Sequence, residues 1–525
     1  MRKTTMMSVL GLVLILGLYS PAAAQDQAPI WSIDAPTGNW FGTGNTERGL
    51  GYNAATGNLI VASRQGGAGF ILIDAATGDS VGKLSTNLEA LFENFEGIAS
   101  TGDPVEGWTF TNTRTWVLSG YGHNSDKYAG WDESTNGDHS ITSPQITNPG
   151  VVNFWVAAYN NSVDTQILVQ SSPDGTTWTT HDTLRTLGAG GDIGLTFINK
   201  TVAINAEGAQ YIRWTTNEWA SGGFYLDDVS ISSGTISGGT FPYNQVRATS
   251  DGQIFTANLT VNAATSNLKI YRWANEDRLP KRIYDGTMTN ADGVRYGDAL
   301  GAWGSGDNVT LLVGGTNPGV IGKFVWNGAE LVKDDEFIVD AGVGRGGYSH
   351  GMNGDYVYAA GTGVAPRAVS LVDGSMLDGL TSPDVAEADL NSVMLIDYYE
   401  MDGQGYIAAG PAFTNGQFYL FSLADDGTTL NLVSTVGPLG NNPNGNNTGG
   451  VIYDPANMRV YLMDTNNALA AFSLEPEESE PVNVTFTVNT ATMPDTLRAN
   501  HTVQIKGGVS GPNTAGATYG IDWST

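Results

Sequence analysis

The chain has 525 residues, 69 of them glycine and none cysteine, a formal net charge of −29, and 41 % hydrophobic and 10 % aromatic residues. That apolar content suffices to build cores and excludes wholesale disorder, while the lack of cysteine excludes a disulfide framework and a cysteine-linked lipid anchor. So acidic a chain has little basic surface, which excludes nucleic acid and anionic membrane as general partners.

In chain order, Met1 to Ala24 carries Arg2 and Lys3, an apolar stretch from Val9 to Leu18, and Ser20-Pro21-Ala22-Ala23-Ala24 before Gln25. This is the pattern of a cleavable secretory signal peptide, and its apolar part is far shorter than the roughly 20 residues that cross a bilayer. The mature chain is expected in the medium or at the cell surface, with no transmembrane segment. Beyond it, short alternating runs broken by Gly, Asn and Asp predict strands, and no stretch shows helical periodicity. A unit opens at Arg48-Gly49-Leu50-Gly51-Tyr52, continues through Asn58 to Ala62 and Phe70 to Ile73, and ends at Gly78. Similar openings recur at Gln245-Val246-Arg247, Val294-Arg295-Tyr296-Gly297, Arg345-Gly346-Gly347-Tyr348, Ser392-Val393-Met394 and Gly449-Gly450-Val451. From Arg247 onward they lie roughly 45 to 60 residues apart, the period of four-stranded propeller blades. The expected fold is all-β: a six-bladed β-propeller (25–87 and 235–474) whose last blade lacks an outer strand, which Ile30-Trp31-Ser32-Ile33 is expected to supply.

The block 88–234 differs in character and reads as an inserted domain. Val152 to Val156 and Gln166 to Gln170 alternate as strands, and Pro173-Asp174-Gly175 makes a turn. Phe95-Glu96 with Trp108, Ser143-Pro144-Gln145-Ile146 and Tyr225-Leu226-Asp227-Asp228-Val229 carry a resemblance: the block resembles the bacterial jelly-roll modules called choice-of-anchor J or cleaved-adhesin domains, kin to MAM-type and carbohydrate-binding jelly rolls. The repeated units likewise resemble an uncharacterised family of secreted bacterial propeller proteins, through Thr240-Phe241-Pro242-Tyr243-Asn244, Ile270 to Asn275 and Asp464-Thr465-Asn466-Asn467. No activity comes with that second likeness. The acidic, proline-bounded 475–481 is expected to be a linker. The remainder, 482–525, looks like the opening of a starch-binding-like β-sandwich and is too short for that core, so the chain is expected to be part of a longer protein.

Chemistry is sparse. His123, His139, His181, His350 and His501 have no metal-ligand spacing. Gly347-Tyr348-Ser349-His350-Gly351 matches a nucleophile-elbow pattern, but the strand expected after it is the wrong context for a catalytic serine. Ser172 to Trp178 resembles an Asp-box and reads better as a plain hairpin. Two constellations stand out. Alternation puts Asp227 on the inward side with Val229 and Ile231, where an acid needs backbone N–H donors or a hard cation. The jelly-roll resemblance implies a calcium shared by Glu96 and Asp227; the hydrogen-bonded alternative stays open. Arg48, Arg295 and Arg345 each precede the innermost strand of a unit, Arg247 is a possible fourth, and Trp40 and Phe41 lie just upstream of the first opening. These side chains either ring a channel mouth as a ligand site for an acidic polymer or pair with carboxylates between blades, the commoner origin of such a signal. The function expected is non-enzymatic binding or adhesion toward a glycan or cell-envelope polymer. A secreted polysaccharide-degrading enzyme and a purely structural surface component are the alternatives.

Overall fold

The computed structural model describes residues 28–474, apart from 133–136, 161–163, 187–190, 217–222, 291, 317–318, 341 and 412–416. The signal peptide (1–24), the acidic linker (475–481) and the C-terminal module (482–525) lie outside the described residues. What is described is all-β, with one four-residue α-helix, Glu387–Leu390. None of its helices is long and apolar enough to cross a membrane.

Six four-stranded antiparallel units follow one another along the chain, and a single parallel pair, Gly49 with Gly449, joins the first and sixth into one eight-stranded sheet. Their first strands are Glu47–Asn53, Phe241–Ala248, Arg295–Ser305, Val343–Tyr348, Val393–Met401 and Gly449–Asp454. Each touches the first strand of the next unit, and the sixth touches the first, so the six first strands neighbour one another in a closed cycle. Burial follows position in the sheet. Gly449–Asp454 and the second strand Ile254–Leu259 are buried throughout, whereas the outermost strands Leu331–Ile338 and Leu430–Val436 expose alternate residues. Near-continuous apolar runs suit strands covered on both faces, and alternation suits strands covered on one. Adjacent sheets approach closely enough that a Cβ on Gly314 would lie 1.7 Å from the Gly344 carbonyl oxygen. Any side chain at that position would push the third sheet off the fourth. The sixth sheet is completed from the other end of the chain: Trp31–Asp34 pairs antiparallel with Ala468–Ser473, Trp31 opposite Ala471 and Asp34 opposite Ala468.

Between the first and second sheets, residues 87–235 form a sandwich of two six-stranded antiparallel sheets. Val151–Ala158 and Ala209–Thr216 alternate cleanly, and their inward residues Phe154, Val156, Ile212 and Trp214 share one core with Phe95 and Trp108. The first and last strands of this domain pair with each other: Glu93 opposes Val229, Leu91 opposes Ile231 and Asn87 opposes Thr235. Entry and exit are therefore adjacent, the geometry a tolerated insertion needs. The domain is also fixed to the second sheet. The buried Glu89 carboxylate pairs with Arg278 and Lys281, both at 2.9 Å, and the Arg278 guanidinium lies over the Phe92 ring.

Candidate functional site

The arginines predicted to ring a channel mouth do converge, but not as an open ring. Arg48 is buried, its Nε donating to Asn244 Oδ1 at 2.6 Å and its guanidinium 3.8 Å from Asp298. Burial, reinforced by Arg64, pulls its pKa down to about 9. Arg295 pairs with the same Asp298 at 2.6 Å. Arg345 is half-buried beside Gln245, Asp298, Met394 and Thr448, and the free space there is 10 Å³, room for about one water. Arg247 is buried as well and donates to the carbonyl oxygens of Leu50, Val246 and Tyr348. Trp40, expected to border the mouth, is instead buried in the core with its ring stacked on Phe41 at 5.2 Å. Arg48 and Trp40, expected as ligand contacts, are thus both covered, Arg48 by its polar partners and Trp40 by the core. Ser349 is also buried: its hydroxyl donates to the Gly351 carbonyl and accepts from Tyr358 N–H, as the strand context predicted.

In the sandwich, Asp227 is buried as Val229 and Ile231 are. Its Oδ2 accepts the His123 N–H at 2.9 Å and its Oδ1 the Asp228 N–H at 2.8 Å. Those donors do not offset the loss of water, and burial pushes the carboxyl up to about 8. Glu96 is exposed and faces Lys127, whose ammonium donates to the Glu96 carbonyl oxygen at 2.7 Å and sits 3.9 Å from its carboxylate. Among the described residues no group of three or more His, Asp or Glu side chains is placed to hold a metal ion. A cation at Asp227 would therefore draw on backbone carbonyls for most of its ligands. Non-glycine residues in the left-handed region stand next to each partner: Phe95 (φ 57°) beside Glu96, Asn124 (φ 58°) beside His123, and Asp228 (φ 44°) beside Asp227. Holding three such residues requires the surrounding contacts to over-determine the backbone.

Above Asp227 lies a groove that sequence reasoning missed. The His123 ring stacks on Trp155 at 3.6 Å and 13°, and its Nδ1 meets Asp228 Oδ2 at 2.7 Å. From this point a cavity of 740 Å³ runs past Tyr121, Tyr159, Phe197 and Tyr225. Tyr121 is 50 % and Tyr159 39 % exposed, and Tyr225 stands edge-on to both. A second cavity of 230 Å³ shares His123, Asn124 and Trp155 with the first and continues past Asn94, Asn153 and Asn199 to Asn275 and Asp277 of the second sheet. The aromatics come from four separate strands and loops, so no spacing in the sequence marks them as one surface.

A family model described as Domain of unknown function (DUF4623) matches residues 194–317. No curated protein matches the chain. Among solved structures, the chain is similar to a DUF4623 family protein from Bacteroides eggerthii, with 15 % identity and a TM-score of 0.36 over 46 % of this chain and 61 % of that one. It thus spans less than two thirds of that protein's length. A cleaved adhesin domain of Lys-gingipain from Porphyromonas gingivalis is similar at 20 % identity and TM-score 0.23, over 27 % of this chain and 97 % of that one. A CBM22 xylan-binding domain from Paenibacillus barcinonensis is similar at 13 % identity and TM-score 0.22, over 29 % and 99 %.

Proposed function

We propose that the chain is an exported, non-enzymatic glycan-binding or adhesion protein, in which the six sheets are the blades of a propeller and the inserted sandwich is a jelly roll that carries the binding face. The observation that supports this reading is the groove over Trp155, in which exposed tyrosines are followed by a run of asparagines. Sugar rings present an apolar C–H face and a rim of hydroxyls. Aromatic rings accept the first, and amide side chains, which both donate and accept, pair with the second. The two cavities together fall in the size range of small-ligand sites. Asp227, directly beneath, is in this reading a calcium ligand with Glu96, the cation replacing the proton that burial would otherwise keep on the carboxyl. Of the arginines expected to bind an acidic polymer, Arg295 and Arg345 are the half-buried ones, and an anionic group would meet them from outside the first strands.

The test is a glycan array probed with the mature protein, followed by titration of any glycan retained. Tyr121→Ala and Tyr159→Ala each remove an exposed ring and should leave the melting temperature unchanged. Each loss should weaken binding roughly fivefold, about 1 kcal/mol. Binding unaffected by either substitution, or an array without a hit, would remove the support for this reading.

A further inference from the structure

At the ends of the first strands opposite the arginines lies a pocket of 540 Å³ to which all six units contribute. Its floor is Asp397, fully buried, whose carboxylate accepts backbone N–H groups from His350, Tyr398 and Tyr453, the last at 2.7 Å. Beneath the floor, Arg247 faces Asp397, but its guanidinium is directed at the carbonyl oxygens of Leu50, Val246 and Tyr348. The walls are aromatic. Tyr399 and Tyr453 meet at 4.0 Å with their planes 49° apart and make a corner, and Trp303 lines another side with its Nε1 lacking a hydrogen-bond partner among the described residues. Neither ring nitrogen of His350 makes a hydrogen bond among the described residues, Nδ1 lying 3.4 Å from Asp397 Oδ1, and burial lowers its pKa. Glu400 stands exposed at the rim, and Asp454 is buried, accepting from the hydroxyls of Tyr52 and Tyr461 and from the Asn457 amide. No lysine or arginine lines this pocket among the described residues.

Aromatic walls, carboxylates at the rim and floor, and no lining cation form one electrostatic pattern. Ring faces carry negative quadrupole potential and attract a cation whose own hydration is weak. The exposed Glu400 carboxylate adds a long-range pull toward the mouth, in a protein whose net charge is already −29. A neutral sugar would draw nothing from that field, and an anion would be repelled. We propose that this pocket is a second, separate binding site, for a small organic cation of the quaternary-ammonium type bearing a hydroxyl. The ammonium sits against Trp303, Tyr399 and Tyr453, and the hydroxyl reaches His350. This site stands independently of the glycan reading of the sandwich.

Choline is the probe, titrated calorimetrically into the mature protein beside its uncharged isostere in which a carbon replaces the nitrogen. Choline should bind at least roughly tenfold more tightly than the isostere, and binding should weaken with added salt. Glu400→Gln, on an exposed side chain, should weaken choline several-fold, and Trp303→Phe should weaken it while keeping the wall filled. Equal affinity for choline and its isostere would overturn the proposal. So would no choline binding at millimolar concentration, a neutral saccharide displacing choline from the pocket, or choline affinity unchanged in both variants.

Discussion

Asp298 is shared by two arginines, Arg295 at 2.6 Å and Arg48 at 3.8 Å, and it is the residue on which the charge balance at the arginine end of the first strands turns. Removing its charge leaves Arg48 buried without a counter-ion. Asp298→Asn should lower stability by about 3 kcal/mol, the lower end of the range for breaking a buried pair because Arg295 is partly exposed. Urea denaturation measures this, and a change below about 0.5 kcal/mol would mean that hydrogen bonding to Asn244 alone satisfies Arg48. A second carboxyl carries a pH signature. Asp464 is buried, and burial raises it to about 6 although Asn444 and Asn467 both donate to it. A folded-state pKa above the unfolded value means that the folded protein holds this proton more tightly. The associated stability is present in full below about pH 4 and is lost as pH rises to about 6. Asp464→Asn should flatten the stability profile across that window, by up to about 3 kcal/mol end to end. A parent and variant with parallel profiles between pH 4 and 6 would refute the assignment.

The strand Trp31–Asp34 lies more than 430 residues from its partner in sequence yet covers the edge of the sixth sheet. The partner strand, Ala468–Ser473, is almost wholly apolar, and uncovered it would offer a row of unpaired backbone groups to another chain. Trp31 also donates its indole N–H to the Ala75 carbonyl at 3.1 Å and so ties the first sheet to the sixth. Deleting 28–34 should therefore produce self-association, visible by light scattering, rather than a merely less stable monomer. The inserted sandwich is the opposite case. Its first and last strands pair, so joining Thr86 to Thr235 through a short Gly/Ser linker should leave six sheets that still fold, with Arg278 and Lys281 having lost Glu89. A single cooperative melt at a lower temperature is expected, and aggregation at every linker length would show that the two domains share a core.

On the scale of the whole molecule, charge differs between the two ends of the first strands. Arg48, Arg64, Arg295 and Arg345 act on one another at one end, and Asp397, Glu400 and Asp454 gather at the other. The sandwich adds the buried carboxyl of Asp227, for which the calcium proposal makes a direct prediction. Chelation should lower the melting temperature of the protein, since an ion bound only by the folded state stabilises it by mass action. Asp227→Asn should abolish that sensitivity. A melting curve indifferent to both chelator and calcium would leave the two backbone N–H donors as the complete account of Asp227.

Alternation and turn residues along the sequence determined the β character, the six unit openings from Arg48 to Gly449, the strand at Ile30 to Ile33, and the inward side of Asp227, because side-chain period and turn chemistry are local properties. Tertiary structure alone decided what those residues meet. Arg48 and Trp40 were legible as residues at and just before the first unit opening but not as buried, since burial there depends on how closely one sheet approaches the next. The groove of Tyr121, Trp155, Tyr159 and Tyr225 and the pocket of Trp303, His350 and Tyr399 draw each wall from a different strand or sheet. No spacing in one dimension encodes a surface assembled from six separated segments, and only the closure of the first strands into a cycle brings its walls together.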